Sequence, residues 1–177
     1  VNLDEVVGSV AYDPLKKPLV KGVALTGAWL QEAVAVVNAA EALPGYRVLA
    51  VNAANLNDAG SYITQELGYA LAWGNDLIAK LSEAGLPAEK VAKKIKFNFG
   101  ISSNYFLEMA KFRAARWLWA EIVKAYNPSC DCACKIRVHA RSSMWNMTVF
   151  DAYVNLLRTQ TETMSAAIAG VDSITVK

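Results

Sequence analysis

Residues 135–177 change hydrophobic period midway. In residues 135–141, Ile136, Val138 and Ala140 fall on one side of an extended segment, and Lys135, Arg137, His139 and Arg141 on the other. Strand side chains alternate faces with period two. One face is therefore apolar, while the opposite face carries three permanent cations and the only histidine of the chain. Beyond it, Tyr153, Leu156, Leu157, Met164, Ala167 and Ile168 recur at helical spacing. Asp151 is placed to N-cap this helix and Gly170 to end it. The apolar stripe is expected to pack on the apolar face of the strand before it, which leaves the cations facing away from the helix.

The same reading places strands at residues 9–13, 46–53, Ile95–Ile101, 135–141 and 173–177, with helices between them. A helix over residues 27–42 carries Leu30, Val34 and Val37 and ends at Leu43-Pro44-Gly45. One over residues 61–84 carries Ile63, Leu67, Leu71, Ile78 and Leu81 and stops at Gly85-Leu86-Pro87. A short helix spans residues 88–93. A longer one spans residues 104–126, carries Leu107, Ala110, Ala114, Trp117, Leu118 and Ile122, and is closed by Pro128. Strands alternating with amphipathic helices predict a parallel sheet with right-handed crossovers.

A doubly wound sheet and part of a (β/α)8 barrel share this pattern, and strand polarity separates them. Strands covered by helices on both sides are apolar on both faces. Here Lys96 and Asn98 alternate with Ile95, Phe97 and Phe99, and Ser173, Thr175 and Lys177 alternate with Ile174 and Val176. The predicted fold is α/β, a partial TIM (β/α)8 barrel of about five parallel strands. Its lumen is polar, and residues 1–177 form a single domain.

At 177 residues and 54% hydrophobic content, the chain can bury a substantial core. A net charge of +2 from 18 basic and 16 acidic residues gives no sign of nucleic-acid or membrane-surface binding. No apolar run reaches the roughly 18 residues of a membrane-crossing helix, and Val1 opens no signal peptide. Cys130, Cys132 and Cys134 sit together in odd number, which predicts reduced surface thiols and a reducing, cytoplasmic compartment. The absence of an initiator Met and a last residue inside a strand suggest a piece of a longer chain.

Several groups are candidates for chemistry. His139 lies between Arg137 and Arg141 on one strand face, which disfavours its protonated form. No carboxylate stands at triad or metal-site spacing from it. The C-x-C-x-C run lacks the spacing and the fourth ligand of a zinc site. Dinucleotide and P-loop glycine patterns are absent. Gly100-Ile101-Ser102-Ser103-Asn104 opens a helix and could offer backbone amides to a phosphate, or be an ordinary turn. Trp145 lies in the loop after the fourth strand, on the side where (β/α) folds bind ligands. Lys94, Lys96, Arg137, Arg141 and Lys177, with Asp13 as the one carboxylate on a strand, make either a solvated mouth or an anion-binding funnel.

The runs HARSSMWNMTVFDAYVNLLRTQTETMSAAIAGVDSITV, NFGISSNYFLEMAKFRAARWLWAEIVKAY and NLNDAGSYITQELGYALAWG resemble methylmalonyl-CoA mutase, most closely the small (beta) subunit of the two-subunit bacterial enzyme. The resemblance implies strands four to eight of an acyl-CoA-binding (β/α)8 barrel, whose polar lumen takes the pantetheine arm of coenzyme A. It also implies broken catalytic positions. The family's tyrosine and histidine fall on Ala54 and Asn55, and its glutamines on Ala11 and Arg141. Its coenzyme A-holding arginine and serine fall on Lys94 and Lys96, and an adenosyl-binding asparagine on Lys177. The histidine of its H-x-Q motif is His139. The cobalamin-binding D-x-H-x-x-G motif is absent.

The resemblance thus implies a heterodimeric isomerase that interconverts succinyl-CoA and methylmalonyl-CoA. Its adenosylcobalamin would be held by the catalytic large subunit, and no cofactor by this non-catalytic chain. Lys94, Lys96, Arg137, His139 and Arg141 remain candidates to line a CoA or anion path. The rival expectations are a competent acyl-CoA mutase of altered specificity and an acyl-CoA or anion-binding module. Unpaired outer strands predict self-association as well.

Overall fold

The computed structural model describes residues 2–25 and 27–176. Its strands are β1 (Gly8–Tyr12), β2 (Tyr46–Val51), β3 (Ile95–Ile101), β4 (Val138–Ser142) and β5 (Ser173–Thr175). Its helices are α1 (Lys16–Lys21), α2 (Trp29–Ala39), α3 (Ala54–Asp58), α4 (Ile63–Glu83), α5 (Ala88–Lys94), α6 (Tyr105–Lys124) and α7 (Val154–Ile168). Short 3-10 turns cover Leu3–Glu5 and Asp131–Cys134. The strands are parallel and hydrogen-bond in chain order, β1-β2-β3-β4-β5. A doubly wound sheet reverses its order at a switch point. The sequential order is that of a (β/α)-barrel segment, as the strand polarity predicted.

The described residues group into two compact units, and β3 runs through both. One comprises Val1–Val51, Ala72–Lys96 and Trp119–Ile136. The other comprises Asn52–Leu71, Phe97–Leu118 and Arg137–Lys177. In the first, Leu49, Ala50 and Val51 of β2 are buried with Ala33 and Val37 of α2 and Leu77, Ile78 and Leu81 of α4. In the second, Phe97 stacks on Phe99 at 6.0 Å between ring centroids, and Phe99 meets Phe112 edge-on at 6.1 Å. Gly100 lies so close to Asn57 that a Cβ there would stand 2.4 Å from the Asn57 Cγ, which leaves no room for any other residue.

The expected sidedness holds in β3 and β4. Phe97, Phe99, Val138 and Ala140 are buried, while Lys96, Asn98, His139 and Arg141 are partly exposed. The strand expected over residues 135–141 begins at Val138, although the burial alternation already starts at Lys135.

Two helix faces are reversed. On α7, Tyr153, Leu156, Leu157, Met164 and Ile168 are exposed, and the inner face consists of Thr159, Glu162, Ser165 and Ala166. On α6, Leu107, Trp117 and Leu118 are exposed, whereas Glu108, Lys111, Phe112, Ala115 and Trp119 are buried. The inward hydroxyls of α7 are satisfied within the helix. The Thr159 hydroxyl donates to the Asn155 carbonyl at 2.9 Å, and that of Ser165 to the Glu162 carbonyl at 2.8 Å. A polar face that satisfies its own hydrogen bonds can be buried, and periodicity alone does not reveal it.

Asp151 does not cap α7. It adopts φ 57° in a turn, and the helix starts at Val154 after Tyr153, which makes no side-chain cap bond. Gly170 ends the helix as expected, with φ 74°. Lys177, expected in the last strand and among the cations, lies outside the described residues.

Candidate functional site

The polar face of β4 is a row of hydrogen-bonded side chains. Arg137 forms an ion pair with Asp172 at 2.8 Å, and the other oxygen of that carboxylate accepts from the Val138 N–H at 2.8 Å. His139 has Nδ1 2.8 Å from the Ser173 hydroxyl and Nε2 3.2 Å from the Thr175 hydroxyl. Each hydroxyl can donate or accept, so both ring nitrogens are engaged whichever of them carries the proton. Parallel register sets Asn98 beside His139 and His139 beside Ser173. Asn98 in turn donates to Asn52 at 2.5 Å.

Arg141 closes the row. Its guanidinium is bound to the Asp58 carboxylate, and its Nη2 also lies 3.5 Å from the Ala54 carbonyl. The second Asp58 oxygen accepts from the Met144 N–H at 3.0 Å. A single carboxylate at the end of α3 thus holds both Arg141 and the loop that follows β4. This is the stretch Ala54-Asn55-Leu56-Asn57-Asp58, which sequence reasoning did not mark as a helix. Asn57 and Asp58 were missed as site residues, and nothing in their spacing points to Arg141, which lies 83 positions away.

Beneath the carboxyl end of β3 lies a fully buried ion cluster. Lys111 Nζ is 2.7 Å from Glu66, 2.6 Å from Glu108 and 2.8 Å from the Gly100 carbonyl. Glu66 also accepts from the Gly100 N–H at 2.7 Å and from the Asn57 amide at 3.1 Å. Loss of water raises the Glu66 pKa above the usual carboxylate value, and Lys111 opposes that shift. Glu108 receives the Ser102 N–H at 2.9 Å and its hydroxyl at 2.6 Å. The amides of Gly100 and Ser102, considered for phosphate binding, are therefore spent on carboxylates.

Trp145 stands in the loop after β4 as expected and is mostly exposed. Its ring lies over Gly60, where a Cβ would come within 3.0 Å of the indole. A cavity of about 190 Å³ opens there, lined by Asn57, Gly60, Ser61, Ser102, Ser143 and Trp145 among others. Behind it Glu162 is buried on α7 and accepts from the Asn146 amide at 2.5 Å. Burial pushes its pKa up to about 7.

The two lysines grouped by sequence part company. Lys94 is buried, with Nζ 2.8 Å from the Ala40 carbonyl, 2.6 Å from that of Leu43 and 3.3 Å from that of Tyr46. It closes the carbonyl-rich end of α2 instead of joining the strand-face cations. Lys96 projects from β3 and donates to the Ser9 hydroxyl at 2.6 Å. Burial lowers the pKa of both lysines. Asp13 receives the Leu15 and Lys16 N–H groups at the start of α1. Ala11 lies on β1 with only a methyl group to offer.

The cysteine reading is corrected: Cys130 and Cys132 are joined by a disulfide, and Cys134 is a free, buried thiol. Among the described residues no cluster of His, Cys, Asp and Glu is placed to hold a metal ion, and no helix is long and apolar enough to cross a membrane.

Parallel strands in sequential order, with a polar side-chain row on one face, define a (β/α)-barrel segment. The family profile described as methylmalonyl-CoA mutase matches residues 1–177, and the chain belongs to that family. It is 65% identical over 170 residues to a methylmalonyl-CoA mutase small subunit of Porphyromonas gingivalis, covering 96% of this chain and 27% of the relative. It is 36% identical over 177 residues to the small subunit of Streptomyces virginiae, covering 98% and 28%. It is 33% identical over 132 residues to the large subunit of Propionibacterium freudenreichii subsp. shermanii, covering 75% and 18%. The chain thus spans little more than a quarter of the length of its small-subunit relatives.

Proposed function

We propose that this chain is a barrel segment of the small subunit of a two-subunit methylmalonyl-CoA mutase, and that it is structural and not catalytic. In this reading the large subunit carries adenosylcobalamin and interconverts succinyl-CoA and methylmalonyl-CoA. Residues 1–177 act as one domain in the cytoplasm and help to hold that partner. The observation that carries the proposal is the Arg141–Asp58 ion pair, whose guanidinium also lies near the Ala54 carbonyl, one residue before Asn55. An uncharged Asn cannot supply a proton near neutrality as a histidine can. A paired guanidinium, with Ala54 beside it, does not fit the neutral face of a corrin or an adenosyl group. His139, with hydroxyls at both ring nitrogens, is committed to the strand row.

The test is adenosylcobalamin titration and turnover of the complete small subunit, with and without the large subunit. Binding and turnover only in the presence of the large subunit are expected. Cofactor binding and isomerisation by the small subunit alone would overturn the reading, as would activity restored to it by Asn55→His with Arg141→Gln. Self-association of residues 1–177 on their own through the outer strands β1 and β5 is the expected behaviour in light scattering.

A second reading draws on Lys96, a partly buried ammonium on the polar side of β3. As a CoA-binding wall, that face would hold coenzyme A with micromolar affinity that weakens steeply with salt. No binding at low salt would remove this reading and leave the first intact.

A further inference from the structure

Cys130 and Cys132 are joined across a single residue. A loop this short removes little freedom from the unfolded chain, so the bond is a poor staple. Cys130, at the N-cap of the 3-10 turn Asp131–Cys134, and Cys132 within it are both exposed, where a soluble thiol can reach them. The turn is fastened independently of the bond. Before it, Ser129 donates its N–H to Glu89 of α5 at 2.9 Å and its hydroxyl to the same oxygen. Behind it, Ala133 and Cys134 are buried. The turn can therefore keep its place whether the sulfurs are joined or not. The Cys132 N–H lies 3.1 Å from the Cys130 sulfur, a donor placed to stabilise negative charge there.

We propose that Cys130 and Cys132 form a reversible dithiol–disulfide site that exchanges with soluble dithiols and glutathione-type thiols. An external thiolate attacks the Cys132 sulfur, and the S–S bond breaks with its electron pair leaving on Cys130, where the Cys132 N–H meets the charge. A second thiolate of the reductant attacks the reductant's sulfur in the mixed disulfide and releases the Cys132 thiolate. The two protein thiolates take up the two protons that the reductant's thiols gave up. Two electrons pass from the dithiol to the protein, and a disulfide of the same class reverses the step. The site is independent of the proposed function, because no residue of the β4 face takes part.

The experiment equilibrates the protein in glutathione buffers of graded ratio, quenches with acid, alkylates with N-ethylmaleimide and maps the labels by mass spectrometry. Cys130 and Cys132 are expected to pass together from none to two labels and back, with far-UV circular dichroism unchanged. Cys132→Ser abolishes the paired transition, and Cys134→Ser leaves it in place. Labelling of both residues at every ratio, a disulfide mapped to Cys134, or loss of secondary structure on reduction would each overturn the proposal.

Discussion

Asp58, the last residue of α3, binds the guanidinium of Arg141 on β4 with one carboxylate oxygen and the Met144 N–H with the other. Both side chains are about three-quarters buried, at 23% and 25% exposure. The pair therefore lies between a surface ion pair worth almost nothing and a buried one whose breakage is costly. Asp58→Asn is expected to destabilise the fold by about 1–2 kcal/mol in urea denaturation. Adding Arg141→Gln should recover part of that loss. Additive single and double variants would mean that the two residues do not act as a pair.

Lys111 stands between Glu66 and Glu108 with no exposed surface on any of the three. Lys111→Met strands two buried carboxylates, and a loss of roughly 3–5 kcal/mol is expected. Combining it with Glu108→Gln should return a substantial fraction of the stability. Thermal unfolding of the three variants measures both effects.

Lys94 and Lys96 are two positions apart yet do different work. Lys94→Met frees three main-chain carbonyls from their donor and should cost roughly 2–3 kcal/mol. Lys96→Met gives up one hydrogen bond to a serine hydroxyl and should cost less than about 1 kcal/mol. Equal losses in chemical denaturation would contradict the assignment of Lys94 as the closure of the α2 end.

Glu162 titrates in the folded protein near pH 7, above its ordinary value of 4.5. The folded state therefore holds this proton more tightly than the unfolded state. Its contribution to stability is fully present below about pH 4.5 and is lost as pH rises through about 7. Urea midpoints measured across that window should fall with rising pH in the natural protein. They should fall less steeply in Glu162→Gln.

Much of this was legible in the sequence. Strands β1 to β5 and the helices α2, α4, α5, α6 and α7 follow from hydrophobic period and Gly-Pro punctuation, whereas the short helices α1 and α3 do not. The alternation along β4, with Val138 and Ala140 opposed to His139 and Arg141, selected a barrel-type sheet over a doubly wound one. Period could not say which side of α6 and α7 faces inward. It assigned the oily stripe to the core, whereas Lys111, Glu108 and Glu162 lie there because each finds a polar partner in the fold.

The sequence by itself determined the order and type of the strands and of the longer helices, because these depend on neighbours a few residues apart. It also determined the polarity of the faces of β3 and β4. Only the tertiary structure decided that Arg141 meets Asp58, that Lys94 turns to the end of α2, and that carboxylates fill the core side of α6. Such contacts join residues tens of positions apart. Their energies depend on burial and on the partner each charge finds, and neither quantity is written in local spacing.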